Sequence, residues 1–154
     1  MTDPSSLTQA RCSAIEYLAR REHASLELRN KLVRKGFEQS VIDCVLIQLR
    51  ADKLLSDERF VENYVRNRTH KGYGPLRIQH ELQKRGIARE WLADVLKIDD
   101  AAWITCARFA RQKRFGQDIP QAQRELAKQI SFLQTRGFTN SHIKAVLPSY
   151  REDN

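Results

Sequence analysis

The strongest constraint on how this chain can fold is an internal repeat. Leu32-Val33-Arg34-Lys35-Gly36-Phe37 returns 50 residues later as Leu82-Gln83-Lys84-Arg85-Gly86-Ile87, and 51 residues further on as Leu133-Gln134-Thr135-Arg136-Gly137-Phe138. Each copy continues with apolar residues at helical spacing. These are Val41, Ile42, Val45 and Leu46, then Trp91, Leu92, Val95 and Leu96, then Ile143, Val146 and Leu147. A fixed period of this kind is the mark of one supersecondary unit stacked on its own copies.

The repeated hexapeptide has a direct physical reading. A helix closes on Lys or Arg, which suits the negative end of its dipole. Gly36, Gly86 and Gly137 then supply the left-handed residue that ends the helix without steric cost. The bulky residue beyond packs back on the last turn, and the next helix presents a stripe such as Ile42, Val45, Leu46 and Leu49.

A further helix precedes each pair. The first spans about Gln9–Arg21, with Ile15, Leu18 and Ala19 on one face. The second is capped by Ser56, carries Asp57 and Glu58 in its first turn, and ends at Lys71-Gly72. Its stripe is Phe60, Tyr64 and Val65. The third lies within Asp100–Phe115, with Trp103, Ala107 and Ala110 inward and Gly116 as its stop. Pro75 and Pro120 fall where helices begin. No segment alternates with period 2, so strands have no support. The expectation is an all-α chain of three three-helix repeats, 8–55, 56–98 and 99–148, sharing core surface in an elongated array. Ragged ends are expected at Met1–Leu7 and Pro148–Asn154.

Lys and Arg number 27 against 19 Asp and Glu, a net charge of +8 that favours an anionic partner such as nucleic acid. Cys12, Cys44 and Cys106 are single and widely spaced, with no metal-ligand pattern, and no apolar run spans a bilayer. No signal-peptide core precedes residue 20. These features predict a reduced, cytoplasmic protein with no metal, no cofactor and no membrane contact.

No nucleophile elbow, zinc-protease motif or phosphate loop occurs. Lys71-Gly72-Tyr73-Gly74 is too short to cradle a phosphate and reads as a tight connection between helices. Asp57-Glu58 reads as a capping pair rather than a catalytic dyad. His23, His70, His80 and His142 are scattered and read as surface or helix-end residues. No enzyme is expected. What stands out is basic surface interleaved with aromatics. One cluster holds Arg59, Arg66, Arg68, Lys71, Arg77, Lys84, Arg85 and Arg89, with Tyr64 and Tyr73 among them. A second holds Arg108, Arg111, Lys113 and Arg114 beside Phe109 and Phe115, with Arg108, Arg111 and Arg114 forming a helical ridge. Such ridges meet phosphates or acidic side chains, the alternative being a solvated face of snorkelling side chains.

The middle copy carries a denser pattern. Ser56-Asp57-Glu58-Arg59-Phe60, then Tyr64, Arg68, Lys71-Gly72-Tyr73-Gly74-Pro75, Arg77-Ile78, Glu81-Leu82 and Lys84-Arg85-Gly86-Ile87 resembles the signature of the RecX family of bacterial regulators. Tyr17-Leu18, Arg21-Glu22, Glu27-Leu28, Lys31-Leu32 and Lys35-Gly36-Phe37 resemble that family's first repeat. The third copy is looser, with Gln129 where the others have Leu28 and Ile78. The resemblance, over residues 10–147, implies a curved array of three-helix units. It also implies a negative modulator of the RecA recombinase, lodged in the RecA filament on single-stranded DNA and damping its ATPase, strand-exchange and coprotease activities. It implies direct DNA binding by some members as well. On this view the partner-facing residues are Arg59, Arg66, Arg68, Lys71, Tyr73, Arg77, Lys84, Arg85, Arg108, Arg111, Lys113 and Arg114.

Two rival readings remain at the level of sequence. Helix–glycine corner–helix resembles a helix-turn-helix DNA-binding protein, although Val41–Leu49 and Ser141–Leu147 offer few groups for base edges. The other is a helical-repeat adaptor independent of RecA. No heptad seam suggests a coiled-coil dimer, the residues leave the oligomeric state open, and the resemblance implies a monomer.

Overall fold

The structure is a computed structural model that describes residues 3–152. The described residues form nine helices and no strand. In chain order these are α1 (Pro4–Arg20), α2 (Ser25–Arg34), α3 (Gln39–Ala51), α4 (Asp57–His70), α5 (Pro75–Lys84), α6 (Arg89–Leu96), α7 (Ala102–Phe115), α8 (Gln123–Arg136) and α9 (Asn140–Val146). They fall into two compact units. One takes residues up to Asn63 together with Lys84–Ile87, and the other takes Tyr64–Gln83 together with the chain from Ala88.

In the first unit α1, α2 and α3 pack on one another. The core is Leu28 and Leu32 from α2, Val41, Ile42, Val45, Leu46 and Leu49 from α3, and Leu55, with Tyr17, Leu18 and Phe37 around it. The inward face of α1 differs from the expected one. Ala10 and Ala14 are fully buried, whereas Ile15 is 40% exposed and Ala19 is exposed. Small residues let α1 lie close to its neighbours, and a reading keyed to bulk passes over them. The helix also starts earlier than expected. Asp3 caps it through the Ser5 amide at 3.1 Å and Pro4 takes the first helical position, so Pro4–Leu7 is helix. Met1 and Thr2 lie outside the described residues.

The first half of α4 belongs to this unit for a visible reason. Ser56 Oγ accepts from the Arg59 amide and caps α4, as expected. Asp57 does something more. Its two oxygens accept from the amide and the hydroxyl of Ser25, at 2.8 and 3.0 Å, and so cap α2, whose own N-cap residue is Ala24.

In the second unit α7, α8 and α9 pack on one another. Trp103, Ala107 and Ala110 face inward as expected, with Leu126, Leu133, Phe138, Ile143 and Val146. Trp103 Nε1 donates to the Leu96 carbonyl at 2.8 Å. The loop between α7 and α8 is longer than expected, so Pro120 precedes α8 rather than opening it. Tyr150 holds the far end, its hydroxyl donating to Asn140 Oδ1 at 3.2 Å.

The glycine corners take the expected form, with φ of +92° at Gly36, +85° at Gly86 and +97° at Gly137. At two of them the Gly and following amides bond back to the Val33 and Leu32 carbonyls, and to the Gln134 and Leu133 carbonyls. The same ending follows α3, where Lys53 at φ +61° stands in the glycine's place.

Two histidines depart from the surface reading. His23 is 1% and His142 3% exposed. His142 Nδ1 accepts from the Thr139 amide at 3.2 Å, so Nε2 donates to the Ile98 carbonyl at 2.9 Å. Nδ1 of His23 donates to the Arg21 carbonyl at 3.0 Å, which leaves Nε2 to accept from Lys31 Nζ at 2.8 Å. Burial holds both imidazoles below their ordinary pKa.

Candidate functional site

The α4–α5 connection, residues 71–74, sits at the centre of the site in the second unit. The Gly74 amide donates to the Arg136 carbonyl at 2.7 Å and the Leu76 amide to the Gly137 carbonyl at 2.9 Å. The fit leaves no room for a side chain. A Cβ on Gly74 would stand 2.6 Å from the Gly137 carbonyl carbon, and one on Gly137 would stand 2.4 Å from Arg77 Cβ. The motif is the tight connection expected from its sequence, and it is also docked on the third glycine corner.

Between the glycines, Tyr73 is surrounded by guanidinium groups. Arg68 lies 3.8 Å, Arg77 4.5 Å and Arg136 4.7 Å from its ring centroid. Three cations around one ring repel one another, and Glu81 offsets two of them. Its Oε1 accepts from Arg68 at 2.7 Å and from Arg77 at 3.1 Å, and its other oxygen accepts from the Tyr64 hydroxyl. Burial alone would push the Glu81 carboxyl up, but these three hydrogen bonds outweigh it and hold the group below the usual carboxylate range. Burial alone would lower the Arg68 guanidinium, but Glu81 more than reverses that and raises it. Arg68, Tyr73 and Arg77 are thus parts of an interlocked cluster, and their charge is largely spent within it.

Exposed charge gathers beside this cluster. A cavity of about 230 Å³ is lined by His70, Lys71 and Gly72 at the end of α4, by Phe109, Ala110, Lys113 and Arg114 of α7, and by Phe132 and Arg136 of α8. Phe109 is 60% exposed. The Phe132 ring meets Phe115 edge-on at 5.2 Å and lies 4.9 Å from the Arg136 guanidinium. Arg136 Nη1 donates to the Lys71 carbonyl at 3.1 Å. Among the described residues, Lys71, Lys113, Arg114 and Arg136 have no carboxylate at ion-pair distance.

The remaining candidates separate. Arg59 is in the first unit, its Nε donating to Glu22 at 2.9 Å. Arg66 and Lys84 are exposed and Arg85 is half-buried. Arg108 is exposed on α7. Arg111 is a correction to the expected ridge, since it is only 1% exposed and faces the core of the third repeat. Its guanidinium donates to Gln129 Oε1 at 3.1 Å and to the carbonyls of Asp118 and Gln117, both at 3.2 Å. The three-residue spacing of the ridge turns Arg111 by enough to carry it onto the stripe of Ala107 and Ala110. In the sequence Arg136 reads only as a helix-ending cation, and nothing singles out Phe132. The signal for Arg136 was present, because the basic position before each glycine is the one that the fold can aim at a neighbour.

Among the described residues no group of acidic, Cys or His side chains could hold a metal ion, and no helix is long and apolar enough to cross a membrane.

The chain matches three family models over nearly its whole length. They are described as the first, second and third three-helix domains of RecX, at residues 10–49, 56–96 and 104–147. It is 39% identical to a Regulatory protein RecX of Halorhodospira halophila, over 99% of this chain and 96% of that one. A Regulatory protein RecX of Legionella pneumophila is 39% identical over 91% of this chain and 93% of that one. One from Pseudomonas putida is 38% identical over 89% and 88%. The fold matches the crystal structure of RecX from Lactobacillus salivarius with a TM-score of 0.78 at 22% identity, covering 92% of this chain and 94% of that one. With three-helix groups in the same order and relatives of this similarity along the whole chain, the protein belongs to the RecX family.

Proposed function

We propose that this chain binds the RecA filament on single-stranded DNA and negatively modulates its recombinase, ATPase and coprotease activities. It acts by binding, as a cytoplasmic monomer, through three repeats at 8–55, 56–98 and 99–148. The observation that carries this reading is the group Lys71, Lys113, Arg114 and Arg136, cations without ion-pair partners among the described residues, on a face that also bears Phe109. Unspent positive charge is what an acidic filament surface or a phosphate backbone engages. Membership of a family whose relatives are named regulatory proteins supports a role without chemistry. A ligand that favours one packing of filament subunits shifts their populations without any catalytic group.

The test is RecA ATPase on single-stranded DNA with increasing amounts of this protein. Inhibition that grows with the ratio of protein to RecA is expected, and none at any ratio would sink the reading. Charge reversal belongs at Lys113 and Arg114, because reversing Arg68 and Arg77 would break their bonds to Glu81.

A further inference from the structure

The cavity beside the Tyr73 cluster has a composition that points to a ligand. Its lining mixes Phe109, Ala110 and Phe132 with cations from the end of α4, from α7 and from α8. Phe109 and Lys113 are four residues apart on α7, so a ring and an ammonium share one helix face. Phe109 is 60% exposed and lines the cavity together with these cations. At about 230 Å³ the cavity is smaller than the roughly 300–1,000 Å³ of drug-sized ligand sites. That size suits one flat ring system.

A nucleic-acid strand meets these features together. Each base of a strand is a flat ring bracketed by two phosphates, and aromatic platforms with cations around them are the general means of holding it. A duplex does not fit, because its base faces are buried against each other. An acidic peptide would satisfy the cations, but it gives no reason for an exposed aromatic side chain among them.

We propose that this cavity takes one unstacked base of a single strand, its ring against Phe109 and its flanking phosphates on Lys71, Lys113, Arg114 and Arg136. The inference deepens the proposed function by assigning this part of the face to the strand rather than to the recombinase. It does not need RecA to be present.

The experiment is fluorescence anisotropy of the full chain with three labelled probes: a short oligothymidylate, the same strand with abasic sugars, and a duplex of equal length. The wild type is expected to bind the thymidylate most tightly. Phe109→Ala should weaken that binding by roughly 5- to 150-fold, the range for loss of one base–aromatic stack, and leave the abasic strand unaffected. Phe109→Trp should preserve it, and circular dichroism checks that the variants fold. Equal affinity for the abasic strand or the duplex would overturn the assignment, as would an unchanged Phe109→Ala. So would Phe109-dependent binding of an alternating Glu-Phe peptide where the oligonucleotide does not bind. RecA ATPase is read in parallel. Inhibition without oligothymidylate binding sinks this site alone, and Phe109-dependent strand binding without inhibition sinks the proposed function alone.

Discussion

Arg111 Nη1 donates to Gln129 Oε1 at 3.1 Å inside the third repeat, at a position where the first two repeats carry Leu28 and Ile78. The pair explains both departures from the pattern at once. A guanidinium buried on α7 needs acceptors, and α8 supplies one side-chain oxygen while the loop between α7 and α8 supplies two carbonyls. Gln129 in turn donates to Glu125 at 3.3 Å.

Restoring the repeat at that position should therefore destabilise the protein. Gln129→Leu leaves Arg111 short of an acceptor, with an expected cost of about 1–3 kcal/mol in urea unfolding. Adding Arg111→Met should recover much of the loss, because removing both partners is far cheaper than removing one. Additive costs in the double variant would show that the two side chains are not coupled.

The glycine corners should respond unequally to alanine. At Gly36 a Cβ meets nothing within 4 Å, so Gly36→Ala carries only the left-handed backbone penalty, about 1–2 kcal/mol. At Gly137 the same Cβ would collide with Arg77, adding an overpacking cost of about 1–3 kcal/mol. Thermal unfolding of the two variants would decide, and equal losses would contradict the docking of Arg77 on Gly137.

Glu81→Gln should cost about 1.5–3 kcal/mol, the usual worth of hydrogen bonds to a charged group. It removes the counter-charge of Arg68 and Arg77 and leaves three guanidinium groups around Tyr73. Because Glu81 titrates lower in the folded chain, its contribution is present above the ordinary carboxylate value of 4.5 and is lost as pH falls through the folded value. Urea midpoints measured down through that range should fall more steeply for the wild type than for Glu81→Gln.

A second pH effect should begin higher. His23 and His142 are both held below the ordinary value of 6.5, so below that pH the unfolded chain binds protons that the folded one resists. Stability should drop as pH is lowered from 6.5 towards the folded values. Protonation would set a second cation against Lys31 in one case and a donor against the Thr139 amide in the other. His23→Gln and His142→Gln should each flatten part of the slope. A wild type with constant stability between pH 7.5 and 5 would refute this.

Much of the fold was legible because the chain states it three times. A glycine at a corner and a stripe of Ile42, Val45, Leu46 and Leu49 each leave a one-dimensional trace. Ala10 and Ala14 left less, since alanine is silent about which face it takes. Of the candidate site, the charge was legible and its disposition was not. Arg68, Arg77 and Arg111 read like Lys113 and Arg114 in sequence. Only the positions of Glu81 and Gln129 in space separate cations spent on packing from those left for a partner.

The Asp57 cap on Ser25 has a consequence for how the chain is completed. The start of α2 is finished by a carboxylate 32 residues downstream, and Gly86, later still, packs against Leu26. During synthesis the first three helices emerge before the residues that close them. The cap on α2 is made only once the start of the middle repeat has followed. A fragment cut after α3 would lack its cap, and the first compact unit runs on past the boundary that the repeat suggests.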